Sequence, residues 1–435
     1  MVRTLVCWPR GGLWRHADFL KLWSAQTVSQ FGSQVSQLAL PLVAVVVLKA
    51  SAFEVALLGM FDFLPFLLFA LPAGVWVDRL PRRPILVLAD LGRALALASI
   101  PIVAVSGSLT IGQLYAVGFG VGTLTVFFDV AYQSYLPSLV ERDRLVDGNA
   151  KLEVSRSAAQ VGGPGVAGVL IGAVTAPYAI VADAVSFLGS ALLLFGIRNR
   201  ESPEDRGHER SNLVKELGEG LRYLFGDARW RSIMAYVATV NFFAEVAFSI
   251  YFVYAVRRLG LSAGELGLVF SVGNLGWLLG AILGPRLSAR FGIGPILVAA
   301  GVLSGAPMLL VPLAPRSSAI PFLVASGIVT SLGIVLYNVN AISLMQALTP
   351  HRLLGRMNAS RRFVVWGTVP FGALAGGVLA SQIGLRPTLF IGASGATFCF
   401  LFLLFSPLRH IRCLPDEPAV GQDLMPLPAT VLPDG

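Results

Sequence analysis

The chain has 435 residues, of which 55% are hydrophobic and only 13% are charged, and its mean hydropathy is +0.73. A soluble protein carries about 25% charged residues, so this composition excludes a water-soluble domain of this size and indicates that lipid surrounds most of the chain. The net charge of +9 does not indicate a nucleic-acid partner, because the basic residues fall in short loops between apolar segments, as at an anionic membrane surface.

Twelve segments are long and apolar enough to cross a bilayer, which takes about 20 residues each. Six lie before a polar stretch and six after it: Phe19–Leu48, Val55–Val77, Ile85–Ser106, Ile111–Leu136, Val154–Val174 and Tyr178–Ile197, then Ser232–Val256, Leu266–Leu287, Pro295–Leu313, Ala319–Leu348, Phe363–Ile383 and Pro387–Leu408. The sequence therefore predicts an all-α membrane protein with twelve transmembrane helices in two six-helix bundles.

These spans divide the chain into four parts. We predict an N-terminal bundle (1–197), a cytoplasmic linker (198–231) with an amphipathic helix at Leu213–Phe225, a C-terminal bundle (232–408) and a disordered cytoplasmic tail (409–435). The loops on the side of the two termini hold most of the 33 Lys and Arg residues; those opposite hold only Lys49, Arg257, Arg258, Arg316 and Arg386. This bias predicts a multi-pass protein of the cell (inner) membrane with both termini in the cytoplasm.

A short charged loop joins the second and third spans. Its notable residues are Gly74, Asp78, Arg79, Arg82 and Arg83, in the pattern G-x-x-x-D-R-x-x-R-R. The pattern and its position resemble the corresponding loop of major facilitator transporters. The eleventh span starts on the same side, and the positive end of its helix dipole would favour the Asp78 carboxylate only while the halves are closed there. We therefore predict a role in conformational change rather than in substrate binding. The other interpretation is an ordinary basic membrane loop.

Three further segments narrow the resemblance to the branch of that superfamily that includes bacterial enterobactin and macrolide exporters. They are Phe31–Pro41, Ala89–Ala94 and Leu136–Leu145, the last leading to Asn149. The resemblance implies a secondary transporter that works by alternating access as a monomer in the lipid bilayer. It implies no cofactor, with the proton gradient as the energy source. Unlike many proton-driven drug antiporters, the fourth span lacks a buried Arg.

The two halves of the chain repeat each other. Ser51-Ala-Phe-Glu54 recurs as Ser262-Ala-Gly-Glu265, 211 residues later, and Gly168-Val-Leu170 recurs as Gly377-Val-Leu379, 209 residues later. Matches in the same order and at nearly constant spacing indicate a duplicated six-helix unit, as in transporters built from parallel repeats.

Small residues predict where helices touch. In the fifth span these are Gly163, Pro164 and Gly168, and in the eighth Gly276, Gly280 and Gly284 share one helix face. The resemblance implies that the fifth and eighth spans face each other, so we expect the two glycine faces to pack together. A Gly-Pro-rich fifth span is also typical of antiporters in that superfamily. The alternative is packing against other neighbours.

Polar side chains at helical spacing predict the walls of a cavity, because amides are costly in lipid and must face protein or water. They lie on the first, seventh and tenth spans: Gln26, Gln30, Gln34, Gln37, Asn241, Ser249, Phe252, Tyr337, Asn338 and Asn340. The resemblance implies that these spans, with the fourth, line the central pathway. Hydrogen bonding between helices is the alternative for the amides, and plain packing for Phe252.

Ionisable residues within the spans are candidates for proton coupling. Glu245 leads because it lies near the middle of its span with no basic residue close in sequence; Asp62, Asp129 and Asp183 follow. Asp90 and Arg93, three residues apart, are interpreted as a structural ion pair. The scattered cysteines and histidines predict no metal site, and no Walker motif or catalytic triad suggests an enzyme.

These observations predict proton-coupled efflux of a hydrophobic or amphiphilic small molecule such as a drug, macrolide or siderophore-like compound. Two alternatives stay open. One is an importer on the same fold, and the other is a membrane sensor or scaffold that binds without transport.

Overall fold

The computed structural model describes residues 13–141, 144–198, 213–349 and 351–412. Within these ranges, twelve helical segments are long and apolar enough to cross a membrane: Ala17–Val47, Ala52–Ala70, Arg82–Val105, Ile111–Leu139, Leu145–Val174, Ala176–Phe195, Ala228–Leu259, Ala263–Phe291, Ile293–Leu313, Arg316–Leu348, Ser360–Ile383 and Leu385–Leu404. The predicted all-α fold is confirmed. An even number of spans puts both ends of the bundle on one side, called here the terminal face, and the other side is the opposite face.

The second and eighth spans begin with the same local structure. In each, a serine side chain accepts a hydrogen bond from the backbone N–H three residues later, and the glutamate there accepts one from the serine N–H. The pairs are Ser51 with Glu54 and Ser262 with Glu265. Because these capping boxes satisfy N–H groups that a helix start leaves unpaired, they fix where both spans begin. The repeat seen in the sequence is therefore a repeat of structure.

The spans that precede these starts also end alike. Val43–Val47 and Ala255–Leu259 are both π-helical turns, and both lead into a residue with positive φ, Lys49 at 51° and Gly260 at 78°. The first and seventh spans thus turn back into the bundle by the same route.

The two halves are joined more closely near the opposite face than near the terminal face. One hydrophobic cluster near the opposite face includes residues of both halves, such as Leu38 and Val253, whereas each half has a separate cluster near the terminal face. The second span packs on the eleventh and the fifth on the eighth. The halves are therefore closed together at the opposite face.

The fifth and eighth spans meet through small residues, but not through those predicted on the eighth. A Cβ at Gly168 would lie 3.0 Å from the Cα of Gly267 and 2.7 Å from the carbonyl oxygen of Ala263, so backbone packs on backbone. Gly276 and Gly280 instead pack against the tenth span, and the nearest atom to Gly284 belongs to the tenth span as well. The prediction that this row meets the fifth span was wrong, because a glycine face marks a close contact without identifying the partner.

Two predictions concern the segments outside the spans. The linker helix is present at Leu213–Gly226, and its Tyr223 hydroxyl donates a hydrogen bond to the Leu348 carbonyl, 3.4 Å away. The tail is structured as far as Arg412, since the Gly294 N–H donates to the Ile411 carbonyl at 2.8 Å. The prediction of a disordered tail from residue 409 was therefore wrong for residues 409–412. The rest of the tail lies outside the described residues.

Candidate functional site

A cavity of about 240 Å³ lies between the two halves, in the part of the spans nearer the opposite face. Its walls are mostly apolar and aromatic, with Phe63 from the second span and Phe248 and Phe252 from the seventh. None of the described residues that line it is Lys, Arg or His. An apolar, aromatic space of this kind suits a hydrophobic ligand.

Two carboxyl groups reach this cavity from different halves. Asp62 comes from the second span and Glu245 from the seventh, and both line the cavity. Among the described residues, no hydrogen bond or ion pair neutralises either of them.

Glycines lie beside both acids. A Cβ at Gly122 of the fourth span would overlap the Asp62 carbonyl oxygen, so the second and fourth spans lie backbone against backbone beside Asp62. A Cβ at Gly372 of the eleventh span would lie 2.9 Å from the Glu245 Cβ, and one at Gly59 only 3.9 Å from the Glu245 Oε1 atom. Glu245 therefore lies between the second and eleventh spans, with its carboxyl group directed towards the second.

The four glutamines of the first span have different surroundings. Only Gln37 lines the cavity, together with its neighbour Ser36. Gln34 packs on Gly163 of the fifth span, where a Cβ would lie 2.7 Å from the Gln34 Cβ. Gln30 is half-buried, and the buried Oε1 atom of Gln26 has no hydrogen-bond partner among the described residues. One glutamine of the four therefore belongs to this cavity.

On the seventh span, Ser249 and Phe252 line the cavity with Glu245, as the helical spacing indicated. Asn241 does not. Its side-chain amide donates a hydrogen bond to the Val365 carbonyl of the eleventh span, 3.3 Å away. Asn241 thus connects two helices of the C-terminal half, which is the alternative interpretation for an amide in a span.

The predicted tenth-span residues do not line the cavity. Tyr337 is buried in the C-terminal half, with its ring centroid 4.6 Å from that of Tyr236. Asn340 accepts a hydrogen bond from the Ser288 hydroxyl of the eighth span at 2.7 Å, and Asn338 is half-buried outside the cavity lining. Tyr337 and Asn340 therefore make contacts inside the C-terminal half rather than with the cavity.

The other two candidate carboxylates lie away from the cavity. Asp183 is 1% exposed and accepts a hydrogen bond from the Ser186 hydroxyl at 3.1 Å within the N-terminal half. Asp129 lies near the terminal face within electrostatic range of Arg93 and Arg362. Both have polar or cationic neighbours, so neither shares the isolated apolar setting of Asp62 and Glu245.

Asp90 and Arg93 form the predicted ion pair, buried inside the N-terminal half. The Arg93 guanidinium lies between two aromatic rings, 4.3 Å from the Phe128 centroid and 4.2 Å from the Phe187 centroid. Cation–π contact and ion pairing together offset the cost of burying this charge. The pair connects the third span with the fourth and sixth.

The charged loop is shorter than predicted, because the second helix continues to Arg79 and the third begins at Arg82. Arg83 donates hydrogen bonds to the carbonyls of Leu194, at 3.1 Å, and Phe195. A cation at the carboxyl end of the sixth helix is favourable because that end carries partial negative charge.

The other residues of this loop differ in exposure. Arg79 is exposed, Arg82 is half-buried, and a Cβ at Gly74 would have no neighbour within 4 Å. The side chain of Asp78 lies outside the described residues. Its conformational role stays a prediction.

Sequence reasoning missed several residues at the interface of the halves. Trp366 of the eleventh span stacks on Phe63 and Phe66 of the second, with centroid distances of 5.9 and 5.5 Å. Gly59, Asp62 and Phe63 follow each other at helical spacing, a signal that could have placed Asp62 in the cavity. The partner helix of such a face cannot be read from spacing alone.

A family model described as a transmembrane secretion effector matches residues 13–427. The chain is 26% identical over 352 residues to the multidrug efflux pump Tap of Mycolicibacterium fortuitum, covering 78% of this chain and 84% of the relative. It is 23% identical to macrolide efflux protein A of Streptococcus pyogenes, covering 91% and 97%. A bacterial homologue of the iron transporter ferroportin, solved in an inward-facing state, has a similar fold, with a TM-score of 0.71, 17% identity and coverage of 89% and 98%.

Proposed function

The chain belongs to the transmembrane secretion effector family of the major facilitator superfamily, and from this premise we propose that it is a proton-coupled efflux pump for hydrophobic or amphiphilic small molecules. It is a multi-pass membrane transporter and not an enzyme. Two of its relatives are named as efflux proteins, one for multiple drugs and one for macrolides. Export, proton coupling and the substrate class are the proposed part.

The observation that carries the proposal is the central cavity with one carboxyl group from each half. Its apolar and aromatic walls fit a hydrophobic substrate, and Gln37 and Ser249 offer hydrogen bonds that could orient it. Asp62 and Glu245 are the ionisable groups among its described lining residues. In a cavity that faces the two sides of the membrane in turn, such a pair can bind protons on one side and release them on the other.

Export then proceeds by alternating access. With the halves closed at the opposite face, substrate enters the cavity from the terminal face, which the charge bias of the loops assigns to the cytoplasm. Rocking of the two halves closes the terminal face and opens the other, where substrate leaves and protons bind. We propose the cell membrane as its location, with both termini cytoplasmic and the monomer as the working unit.

The test uses the purified full chain reconstituted in liposomes with a hydrophobic fluorescent dye. A pH gradient imposed across the membrane should move dye against its own concentration gradient, and an uncoupler should abolish that movement. Cells that contain the protein should accumulate less dye than cells without it, and the difference should vanish with uncoupler. Greater accumulation in the cells would indicate import, and dye binding without movement would indicate a sensor.

A further inference from the structure

A second site with different chemistry lies at the opposite face of the C-terminal half. A pocket of about 460 Å³ is lined by Tyr254 and by three arginines, Arg258, Arg316 and Arg386. The arginines come from three separate places in the chain: the end of the seventh span, the start of the tenth and the start of the twelfth. The fold therefore brings together three guanidinium groups that are far apart in sequence.

The convergence is notable because this face has so few basic residues. Three of the five Lys and Arg residues that the sequence places there line this one pocket. None of the three forms an ion pair with a carboxylate of the described residues. The acids that begin the neighbouring spans on this face, Glu54 and Glu265, are held in capping boxes. The pocket thus has positive charge without a protein counter-ion in the described part of the chain.

The internal repeat shows that the fold does not require two of these charges. At the repeat offset of 211 residues Arg258 corresponds to Val47, and at the offset of 209 residues Arg386 corresponds to Pro177. The N-terminal half makes the same turns with apolar residues at both positions. Charges needed only to cap helices or terminate spans would be expected in both halves.

The pocket also has fixed walls. The Arg386 Nε atom donates a hydrogen bond to the Pro312 carbonyl at 2.8 Å, and its guanidinium lies 5.9 Å from the Phe390 ring centroid. Tyr254 is 2% exposed and forms part of the floor. Arg258 and Arg316 are exposed, so their guanidinium groups can reach a ligand.

We propose that this pocket binds an anionic ligand through a phosphate group. Guanidinium groups present planar pairs of N–H donors that match phosphate oxygens, and several charge-assisted hydrogen bonds to one group are strong. A phospholipid headgroup and a soluble phosphate compound offer the same chemistry. The site is separate from the substrate cavity, so it stands whether or not the chain exports hydrophobic compounds.

The adjacent residue connects this site to the closure of the halves. The Arg257 Nη2 atom donates a hydrogen bond to the Ala50 carbonyl of the N-terminal half at 2.6 Å, whereas Arg258 lines the pocket. Both lie in the same π-helical turn, Ala255–Leu259. A ligand that holds Arg258 therefore also holds the turn that carries the inter-half contact.

The experiment measures ligand binding to the purified full chain. In detergent, thermal unfolding is followed with inorganic phosphate or with chloride at equal ionic strength. In phosphatidylcholine nanodiscs, it is followed with and without phosphatidylglycerol. The variants Arg258→Gln and Arg316→Gln test the pocket, and Arg222→Gln, exposed on the linker helix, is the matched control for loss of one surface charge.

We expect the ligand to raise the thermal stability of the wild type in a saturable way. The apparent affinity should fall about tenfold in each pocket variant, as expected for the loss of one charge-assisted contact, and should not change in the control. Stabilisation by inorganic phosphate identifies a soluble ligand, and stabilisation only by phosphatidylglycerol identifies a lipid headgroup. No stabilisation by either, or equal weakening by Arg222→Gln, overturns the proposal. If Arg316→Gln does not fold, Arg258→Gln decides alone, because its exposed side chain makes no hydrogen bond to another described residue.

Discussion

Glu245 on the seventh span faces Gly59 on the second across the interface between the two halves, so closely that a methyl group at Gly59 would lie 3.9 Å from the Glu245 Oε1 atom. Asp62 follows Gly59 by one helical turn and lines the same cavity. One cavity is therefore lined by a carboxyl group from each half. Any movement of the halves against each other changes the distance between the two acids.

The first prediction concerns Glu245→Gln. Glutamine keeps the shape of the side chain but cannot ionise, so we expect proton-driven movement of dye against its gradient to fall at least about tenfold, while exchange down a gradient persists. Asp62→Asn should have the same type of effect, because Asp62 lines the same cavity in a similarly apolar setting. Both are measured in liposomes with and without a pH gradient.

The matched control for this pair is Glu153→Gln, since the Glu153 side chain is 65% exposed and lies outside the cavity. It should behave like the wild type. If Glu245→Gln and Asp62→Asn both retain uphill transport that is sensitive to uncoupler, another group carries the proton coupling. Asp129 is then the next candidate.

The second prediction compares two glycines of the fifth span. Gly168→Leu inserts a side chain where backbone meets the backbone of the eighth span, so it should lower expression or reduce transport several-fold. Gly172→Leu, one turn further on, has no neighbour within 4 Å of its Cβ and should have little effect. Expression by fluorescence-detected gel filtration and dye transport are the measurements. Equal behaviour of the two variants would be incompatible with this contact.

The third prediction rests on a strained residue between the fifth and sixth spans. Thr175 has φ 70° and ψ 159°, a region that a β-branched residue rarely adopts, and its repeat counterpart Gly384 has φ 89° and ψ 167°. Such strain costs about 1–3 kcal/mol, which a glycine at this position would remove. Because glycine also gives the unfolded chain more conformational entropy, about 0.5–1 kcal/mol of that gain is lost. We expect Thr175→Gly to raise thermal stability by roughly 1 kcal/mol.

The reverse change, Gly384→Thr, should lower thermal stability by a similar amount, because it introduces the same strain in the other half. Both variants are measured by thermal unfolding in one detergent. A lower melting temperature for Thr175→Gly would contradict the expectation.

The fourth prediction concerns pH and Asp227, which caps the start of the seventh span. Its carboxylate accepts hydrogen bonds from the Arg229 backbone at 2.7 Å and side chain at 2.6 Å, and the side-chain bond lowers the pKa of Asp227 below its usual value of 3.8. Because the folded state has the lower pKa, this stabilisation is present above the unfolded pKa and is lost as the pH falls through the folded one. Asp227→Ala should cost about 1 kcal/mol at neutral pH, as for other N-cap residues.

The corresponding measurement follows thermal unfolding of wild type and Asp227→Ala from pH 7 down to about pH 3, near the ordinary carboxyl range. The gap between them should narrow at the acid end. A gap that stays constant or widens on acidification would show that the carboxylate charge at this position is not what stabilises the helix start.

Much of the fold could be predicted from the sequence because lipid imposes simple rules. Span length, apolar composition and the recurrence of Ser51 as Ser262 gave the number of helices and their duplication. Helical spacing also placed Ser249 and Phe252 on the same face as Glu245, and they share its cavity. Each of these features can be recognised without knowing which helices become neighbours.

What could not be predicted depends on which helices become neighbours. Asn340 lies on a polar face, but nothing in its segment shows that Ser288 of the eighth span will bond to it. Asp62 is a single acid in an apolar span, and its relation to Glu245 exists only after the halves assemble. Spacing gives the direction of a side chain relative to its own helix, whereas function here is formed between helices.

The hydrophobic cluster that both halves share near the opposite face has a thermodynamic consequence for the transport cycle. Separating it exposes apolar surface, at about 25 cal/mol for each Å², so the state accessible from the opposite face begins at higher free energy unless new contacts form near the terminal face. A ligand shifts the balance between two states only by its difference in affinity for them. The population of the state open to the opposite face, and with it the rate of turnover, therefore depends on the stability of this hydrophobic cluster and on the ligand that occupies the cavity.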